Sequence, residues 1–128
     1  MRFLLDTRTL IWWMTNDSHL SKAAHSLIED LNNTSMVSAV SAWEIATKFR
    51  LGRLPAAAVL VQDFVADLEQ QKIQTLSVSA EHGIRAGSLP GPHNDPFDRM
   101  LIAQAQSENV PIVSNDRALD GYGIRRLW

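Results

Sequence analysis

The chain contains no cysteine. That absence excludes disulfides, thiolate metal ligands and a cysteine nucleophile, and it suits a reducing compartment without requiring one. A basic surplus is missing as well: 12 Lys and Arg stand against 14 Asp and Glu, a formal charge of −2. Any binding to a polyanion must therefore come from a local basic patch, because counterion release depends on the contacts made and not on total charge. Long hydrophobic runs are absent too. The N-terminal MRFLLDTRTLIWWM is apolar but is interrupted by Asp6 and Arg8. It reads neither as a signal peptide nor as a membrane span, which needs roughly 18 uninterrupted apolar residues. No internal repeat, low-complexity tract or linker divides the chain. The expectation is one soluble, cytoplasmic domain over residues 1–128, with no membrane contact.

What is present suffices for a core, since 45% of the 128 residues are hydrophobic. Four short apolar segments read as buried strands, at Arg2–Leu5, 36–40, 111–114 and 124–127, and 73–78 is a weaker fifth. Between them, 9–14, 21–31, 42–51, 56–71, Ala80–Ser88 and 97–109 place apolar residues three or four apart, the spacing of helices. Phe97, Met100, Leu101 and Ala105, for example, fall on one helical face. Gly52 and Pro55 break the chain after the third helix, and Leu89-Pro90-Gly91-Pro92 is a rigid turn before the sixth. Strands alternating with helices predict an α/β fold of three layers, α/β/α, around a mainly parallel sheet. The strands are continuous apolar runs, as expected when helices cover both faces. Such folds bind ligands beyond the carboxyl ends of their strands.

Of four acids, at least three fall at strand-to-helix junctions, so the group should converge on that edge. Asp6 follows the first strand, Glu44 lies inside the helix after the second, Asp98 opens the sixth helix, and Asp116 follows the strand ending at Ser114. Helix capping explains part of this pattern. Ser41-Ala42-Trp43-Glu44 has the form of a capping box. Asp95-Pro96-Phe97-Asp98 combines an acidic cap, proline at the first position and acid at the third. Asp116 is placed to cap a short final helix. Capping accepts Ser, Thr or Asn as readily as Asp, however, so it does not require carboxylates at all these positions. Asp6, ending a central apolar strand, is the acid that capping explains least. Carboxylates about 5 Å apart repel by roughly 3 kcal/mol per pair at an effective dielectric near 20. A cluster therefore needs protons or a cation, and all-oxygen donors suit a hard ion, Mg²⁺ or Mn²⁺.

At these residues the sequence resembles the PIN-domain family, and within it the VapC-type ribonuclease toxins of toxin–antitoxin pairs. The matching segments are FLLDTRTLIWW at 3–13, SAVSAWEIATK at 38–48, LPGPHNDPFDRMLIAQA at 89–105 and VSND at 113–116. The resemblance implies a five-stranded sheet with an acidic pocket at its carboxyl edge. It puts Asp6, Glu44, Asp98 and Asp116 on the family's four acidic positions, as metal ligands and catalytic residues. It further implies Mg²⁺-dependent hydrolysis of RNA to a 5′-phosphate and a 3′-hydroxyl, and a VapB-type antitoxin partner. The adjacent Trp12 and Trp13 cannot both face one side of a helix, which favours a homodimer or an antitoxin-binding groove. Two positions depart from the pattern: Arg8 stands where relatives often have His, and Ser114 where Thr is common.

Around the acids, Arg8, Lys48, Arg50, Arg53 and Arg99 are candidates to line an RNA path, although Lys48 and Arg99 are equally placed to pair with the acids. Asp95 reads as an N-cap more than as a fifth acid of the site. His93 reads more as a turn residue bonded to the backbone than as a proton carrier. Trp12, Trp13 and Trp43 read as core or interface anchors before stacking platforms. Alternative readings remain. A dehalogenase-type phosphatase wants a second Asp where Arg8 stands, and a receiver domain wants an early acidic pair that the chain lacks. A PIN-like RNA-processing nuclease without an antitoxin, or a non-catalytic binding module, fits the same composition.

Overall fold

The computed structural model describes residues 1–128, with every side chain except that of Ala56. β1 (Arg2–Leu5), β2 (Thr34–Ser38), β3 (Gln74–Leu76), β4 (Ile112–Val113) and β5 (Arg126–Leu127) form one sheet. Its order is β3-β2-β1-β4-β5, and every pairing is parallel. The register sets Leu5 of the central strand beside Val37 on one side and Val113 on the other.

The period of two along the strands divides the core between the two faces. Phe3, Leu5, Val37 and Val113 join a cluster with Leu10 of α1 (Thr7–Met14), Ala24 and Ile28 of α2 (Lys22–Glu29), and Leu68 of α5 (Phe64–Gln70). Leu4, Met36 and Ile112 join another with Leu101 and Ile102 of α7 (Pro96–Glu108). Helix α3 (Ala39–Arg50) serves both, giving Ile45 to the first and Val40 to the second. Phe3, Leu4 and Leu5 are fully buried. Each is worth about 1.5–3 kcal/mol of transfer free energy. The predicted three-layer α/β/α arrangement is the one that forms.

Several boundaries differ from the sequence expectation, and two differences bear on function. β2 ends at Ser38, not at residue 40, and Ser38 is itself the cap of α3, its hydroxyl accepting from the Val40 N–H at 3.0 Å. Val40 is drawn into the core, which ends the strand early. Ser41 therefore lies inside the first helical turn, and the capping box expected for Ser41 and Glu44 does not form. The first helix also starts two residues earlier than expected, at Thr7, because Asp6 caps it by accepting from the Thr9 N–H at 2.8 Å. Asp6, the acid that capping explained least in the sequence, is a cap after all.

Two further caps behave as read. Asp95 accepts from the N–H groups of Phe97 and Asp98 at 2.9 and 3.2 Å, with Pro96 opening α7. Asp116 caps a 3₁₀ turn, Arg117–Tyr122. The helix expected over 56–71 is broken into a 3₁₀ turn at Pro55–Ala57, α4 (Ala58–Gln62) and α5, with Asp63 between the two helices. The remaining helix, α6 (Ala80–Ser88), packs against α7.

Candidate active site

Parallel strands end together, so residues following β1 and β4 and those at the starts of α3 and α7 meet at one edge. There Asp6, Glu44, Asp95, Asp98 and Asp116 line a cleft of about 320 Å³, with Thr7, Arg8, Trp12 and Lys48 among its other walls. All four acids singled out in the sequence are brought together. A larger hollow of about 630 Å³ shares Trp12 with this cleft. Its one carboxylate, Asp17, is turned onto the backbone and ring of His19, so it offers no comparable acidic centre.

Glu44 is the most enclosed of the acids, 5% exposed. Thr7 Oγ1 donates to Glu44 Oε1 at 2.6 Å, and Lys48 Nζ, one helical turn away, donates to Oε2. The hydroxyls of Thr7 and Ser41 are 2.9 Å apart. Because the single Thr7 proton goes to Glu44, Ser41 is the donor to Thr7. The residue first read as a cap thus supports the carboxylate through one intermediate.

Asp6 is 8% exposed. Burial pushes its carboxyl above the usual carboxylate range, against hydrogen bonds from Ser114 and Thr9 and the nearby charge of Arg8. Ser114 lies between two acids: it works against the rise at Asp6, and its hydroxyl accepts from the Asp116 N–H at 3.0 Å. Asp116 in turn accepts from the Ala118 N–H at 3.0 Å through Oδ1. Burial also raises the Asp98 carboxyl, and the charges of Asp95 and Glu44 add to it. His93 Nε2, 2.9 Å from Asp98 Oδ2, opposes that rise. His93 therefore contacts an acid of the cleft, not the backbone as expected. Its loop is shaped by Gly91, whose φ of +94° favours glycine and where a Cβ would lie 3.1 Å from the Tyr122 hydroxyl.

The donor set fits a divalent cation. It is all oxygen, and burial raises two of its carboxyls above the ordinary range, a shift that a bound cation would offset. Among the described residues no three His, Asp or Glu side chains are grouped closely enough to enclose an ion alone. An ion here would keep water ligands, as Mg²⁺ habitually does.

The expected RNA contacts separate into different roles. Arg8 is exposed on the cleft wall, its guanidinium carbon 5.8 Å from the centre of the Trp12 ring. Lys48 lines the cleft and is paired with Glu44. Arg50, the last residue of α3, and Arg53 beyond it are exposed. Arg99 is a correction. Its guanidinium donates to the carbonyls of Ala86, His93 and Leu89 at 3.0, 2.8 and 2.6 Å, which fastens α6 and the His93 loop to α7. It is committed to backbone and pairs with none of the acids. The tryptophans divide too. Trp13 packs on the core, Trp12 lines the cleft, and Trp43 is 63% exposed with Phe97 edge-on to it, so it is no core anchor.

The sequence pattern of the PIN domain matches residues 3–124, nearly the whole chain. The chain belongs to the PIN domain family. It is 29% identical over 120 residues to Ribonuclease VapC22 of Mycobacterium tuberculosis, covering 93% of this chain and 90% of that protein. Among solved structures it is similar to a chain of VapBC2 from Rickettsia felis, bound in that structure to a DNA fragment from its promoter. The TM-score is 0.66 at 16% identity, over 99% of this chain and 98% of that one. A chain of VapBC-1 from nontypeable Haemophilus influenzae gives 0.65 at 16% identity, over 99% and 97%. These likenesses support the fold.

In this PIN domain the sequence reading missed Thr7 as a member of the site. The signal was available in its position directly after Asp6, where a helix starting at once turns the hydroxyl toward α3. Ser41 and Ser114 were noticed, one as a cap and one as a departure from the family pattern. The hydrogen bond of Ser41 to Thr7 and the effect of Ser114 on Asp6 depend on contacts distant in sequence.

Proposed function

We propose that the chain is a Mg²⁺-dependent ribonuclease that hydrolyses RNA phosphodiester bonds, with Mn²⁺ as a substitute ion. The observation that carries this reading is the convergence of Asp6, Glu44, Asp98 and Asp116 on one cleft, two of them with raised carboxyls. Asp6, Asp98 and Asp116 would hold the ion, directly or through water, beside Glu44. When bound, such an ion lowers the pKa of water and neutralises charge developing on the phosphate.

The chain's own residues supply the rest. Carboxylate oxygens orient the attacking water and accept its proton. Its oxygen bonds to phosphorus, the bond from phosphorus to O3′ breaks, and O3′ takes a proton from solvent. The products are a 5′-phosphate and a 3′-hydroxyl. Arg8 and Lys48, on the cleft wall, meet the RNA backbone.

The reading extends to a toxin of the VapBC type acting in the cytoplasm. The likenesses to VapC22 and to VapBC complexes support it. A VapB-type antitoxin is then the expected partner. Exposed Trp43, Val59 and Val65 offer apolar surface for contact with the antitoxin or a second copy of the chain.

The test is cleavage of structured RNA by purified protein with Mg²⁺, with excess EDTA, and by Asp98→Asn. Cleavage should require the ion and vanish in the variant, and sequencing of the new ends should find 5′-phosphates. Full activity in EDTA would sink the mechanism.

A further inference from the structure

Glu44 differs from its neighbours in that each of its two oxygens already accepts a hydrogen bond from a side chain. Thr7 holds Oε1 and Lys48 holds Oε2. Asp98 Oδ1 and Asp116 Oδ2 have no hydrogen-bond donor among the described residues. Lys48 is also the only Lys or Arg among the described residues in ion-pair contact with a carboxylate of this cleft. The contact is built into α3, since the two residues are four apart on one helical face. The Lys48 side chain is 33% exposed and that of Glu44 7%, so the ammonium lies between the buried acid and the open cleft.

We propose that this ammonium takes the place of a second metal ion. The centre then accepts one divalent ion, on the side of Asp6, Asp98 and Asp116. Lys48 supplies the other positive charge to the scissile phosphate from the side of Glu44. The proposal rests on the RNA-hydrolysis reading for its substrate, but not for its ion count.

Two-metal nuclease sites clamp the attacking and leaving oxygens between ions about 3.5–4 Å apart. A second dication using Glu44 would have to break the pair with Lys48 and then sit beside a like charge. Thr7, backed by Ser41, holds the other carboxylate oxygen in place, so Glu44 is not free to turn and serve both cations. An ammonium carries one charge where a dication carries two, and it needs no dehydration on entry. It therefore acts as a fixed clamp on phosphate oxygen and cannot activate water, which leaves that work to the single ion.

The experiment counts Mn²⁺ bound per chain by calorimetry, and by the paramagnetic resonance of the ion left free. It compares wild type, Lys48→Arg, Lys48→Met and Lys48→Met combined with Glu44→Gln, each checked by circular dichroism. The expected counts are one ion in wild type and Lys48→Arg, two in Lys48→Met, and one again in the double variant. Two ions in the wild type, or still one in folded Lys48→Met, overturns the proposal. Should Lys48→Met not fold, Lys48→Gln carries the same count. Cleavage by Lys48→Met should fall about 100-fold, the loss typical of one missing electrostatic group, and recover in part as Mn²⁺ is raised. A wild type that binds one ion yet cuts no RNA supports the one-ion centre and overturns the ribonuclease reading instead.

Discussion

The two walls of the acidic cleft are made of similar residues held in opposite ways. On the wall of α1 and α3, Glu44 is buried and both of its oxygens are bonded, to Thr7 and Lys48. On the other, Asp98 and Asp116 are partly exposed, and each has one oxygen without a protein donor. Asp6, at the end of the central strand, sits between these extremes: buried and hydrogen-bonded, yet with its carboxyl raised. A carboxylate satisfied by its own protein is a structural support, whereas one left short of donors and counter-charge is free to bind something else. Residue type alone does not distinguish the two; the partners do.

The largest effect should come from neutralising the unsatisfied wall. Under the proposed mechanism, Asp6→Asn and Asp98→Asn should each lower cleavage by about a thousandfold or more, since several kcal/mol of transition-state stabilisation would depend on the ion they would hold. Stability should move the other way. Both carboxyls titrate higher in the folded chain than in the unfolded one, so between the ordinary carboxylate range and the raised values the folded chain binds more protons. The stability these groups allow is therefore greatest in acid and is lost as pH rises through that window. Both variants should melt above wild type at neutral pH, and the gain should shrink as pH falls toward about 4. Asparagine can still accept from the Thr9 N–H, so Asp6→Asn keeps its cap, while Asp6→Ala should lose about 1 kcal/mol relative to it. A lower melting temperature for Asp98→Asn at neutral pH would contradict the unsatisfied wall.

The strands and the meeting of the acids were legible in the sequence; the contrast between the two walls was not, and that has a physical cause. The apolar runs at Arg2–Leu5 and around Met36 and Ile112 fixed the strands, because continuous burial on both faces leaves a strong signal. Convergence of the four acids followed from parallel strands ending at one edge. The exact helix starts were not legible. Ser38 and Ser41 are both good caps, and the choice between them was made by Val40 entering the core. That choice moved Glu44 from a cap to the second turn of α3. The role of Arg99 was equally hidden, because its three carbonyl partners lie on α6 and on the loop before α7. Local sequence carries caps and periodicity, but it does not say which donor is already engaged.

The satisfied wall can be broken at Thr7. Thr7→Val preserves shape but removes the hydroxyl that joins Ser41 to Glu44, leaving a buried carboxylate with Lys48 alone. Stability should fall by about 1–3 kcal/mol, the cost of an unsatisfied buried acceptor. Cleavage should fall by about 10–100-fold, as for other groups that orient a site without entering the reaction. Thr7→Ser restores a hydroxyl and should recover most of both losses. Urea unfolding and initial cleavage rates measure the two effects. A fully active Thr7→Val would mean that the position of Glu44 does not matter.

The smallest expected effects separate two arginines. Arg99 reaches three carbonyls with one planar guanidinium, a geometry that an ammonium cannot reproduce. Arg99→Lys should therefore cost about 1–3 kcal/mol of stability. RNA affinity, measured in an Asp98→Asn background that binds without cutting, should stay as it was. Arg8 is exposed beside Trp12 and carries no comparable backbone bonds. Arg8→Ala should leave the melting temperature nearly unchanged but weaken RNA binding. The plot of log affinity against log salt should become shallower by about 0.7, as expected for one lost phosphate contact on a single strand. Equal salt slopes for Arg8→Ala and its parent would remove Arg8 from the RNA path and leave Lys48 as the basic group of that wall.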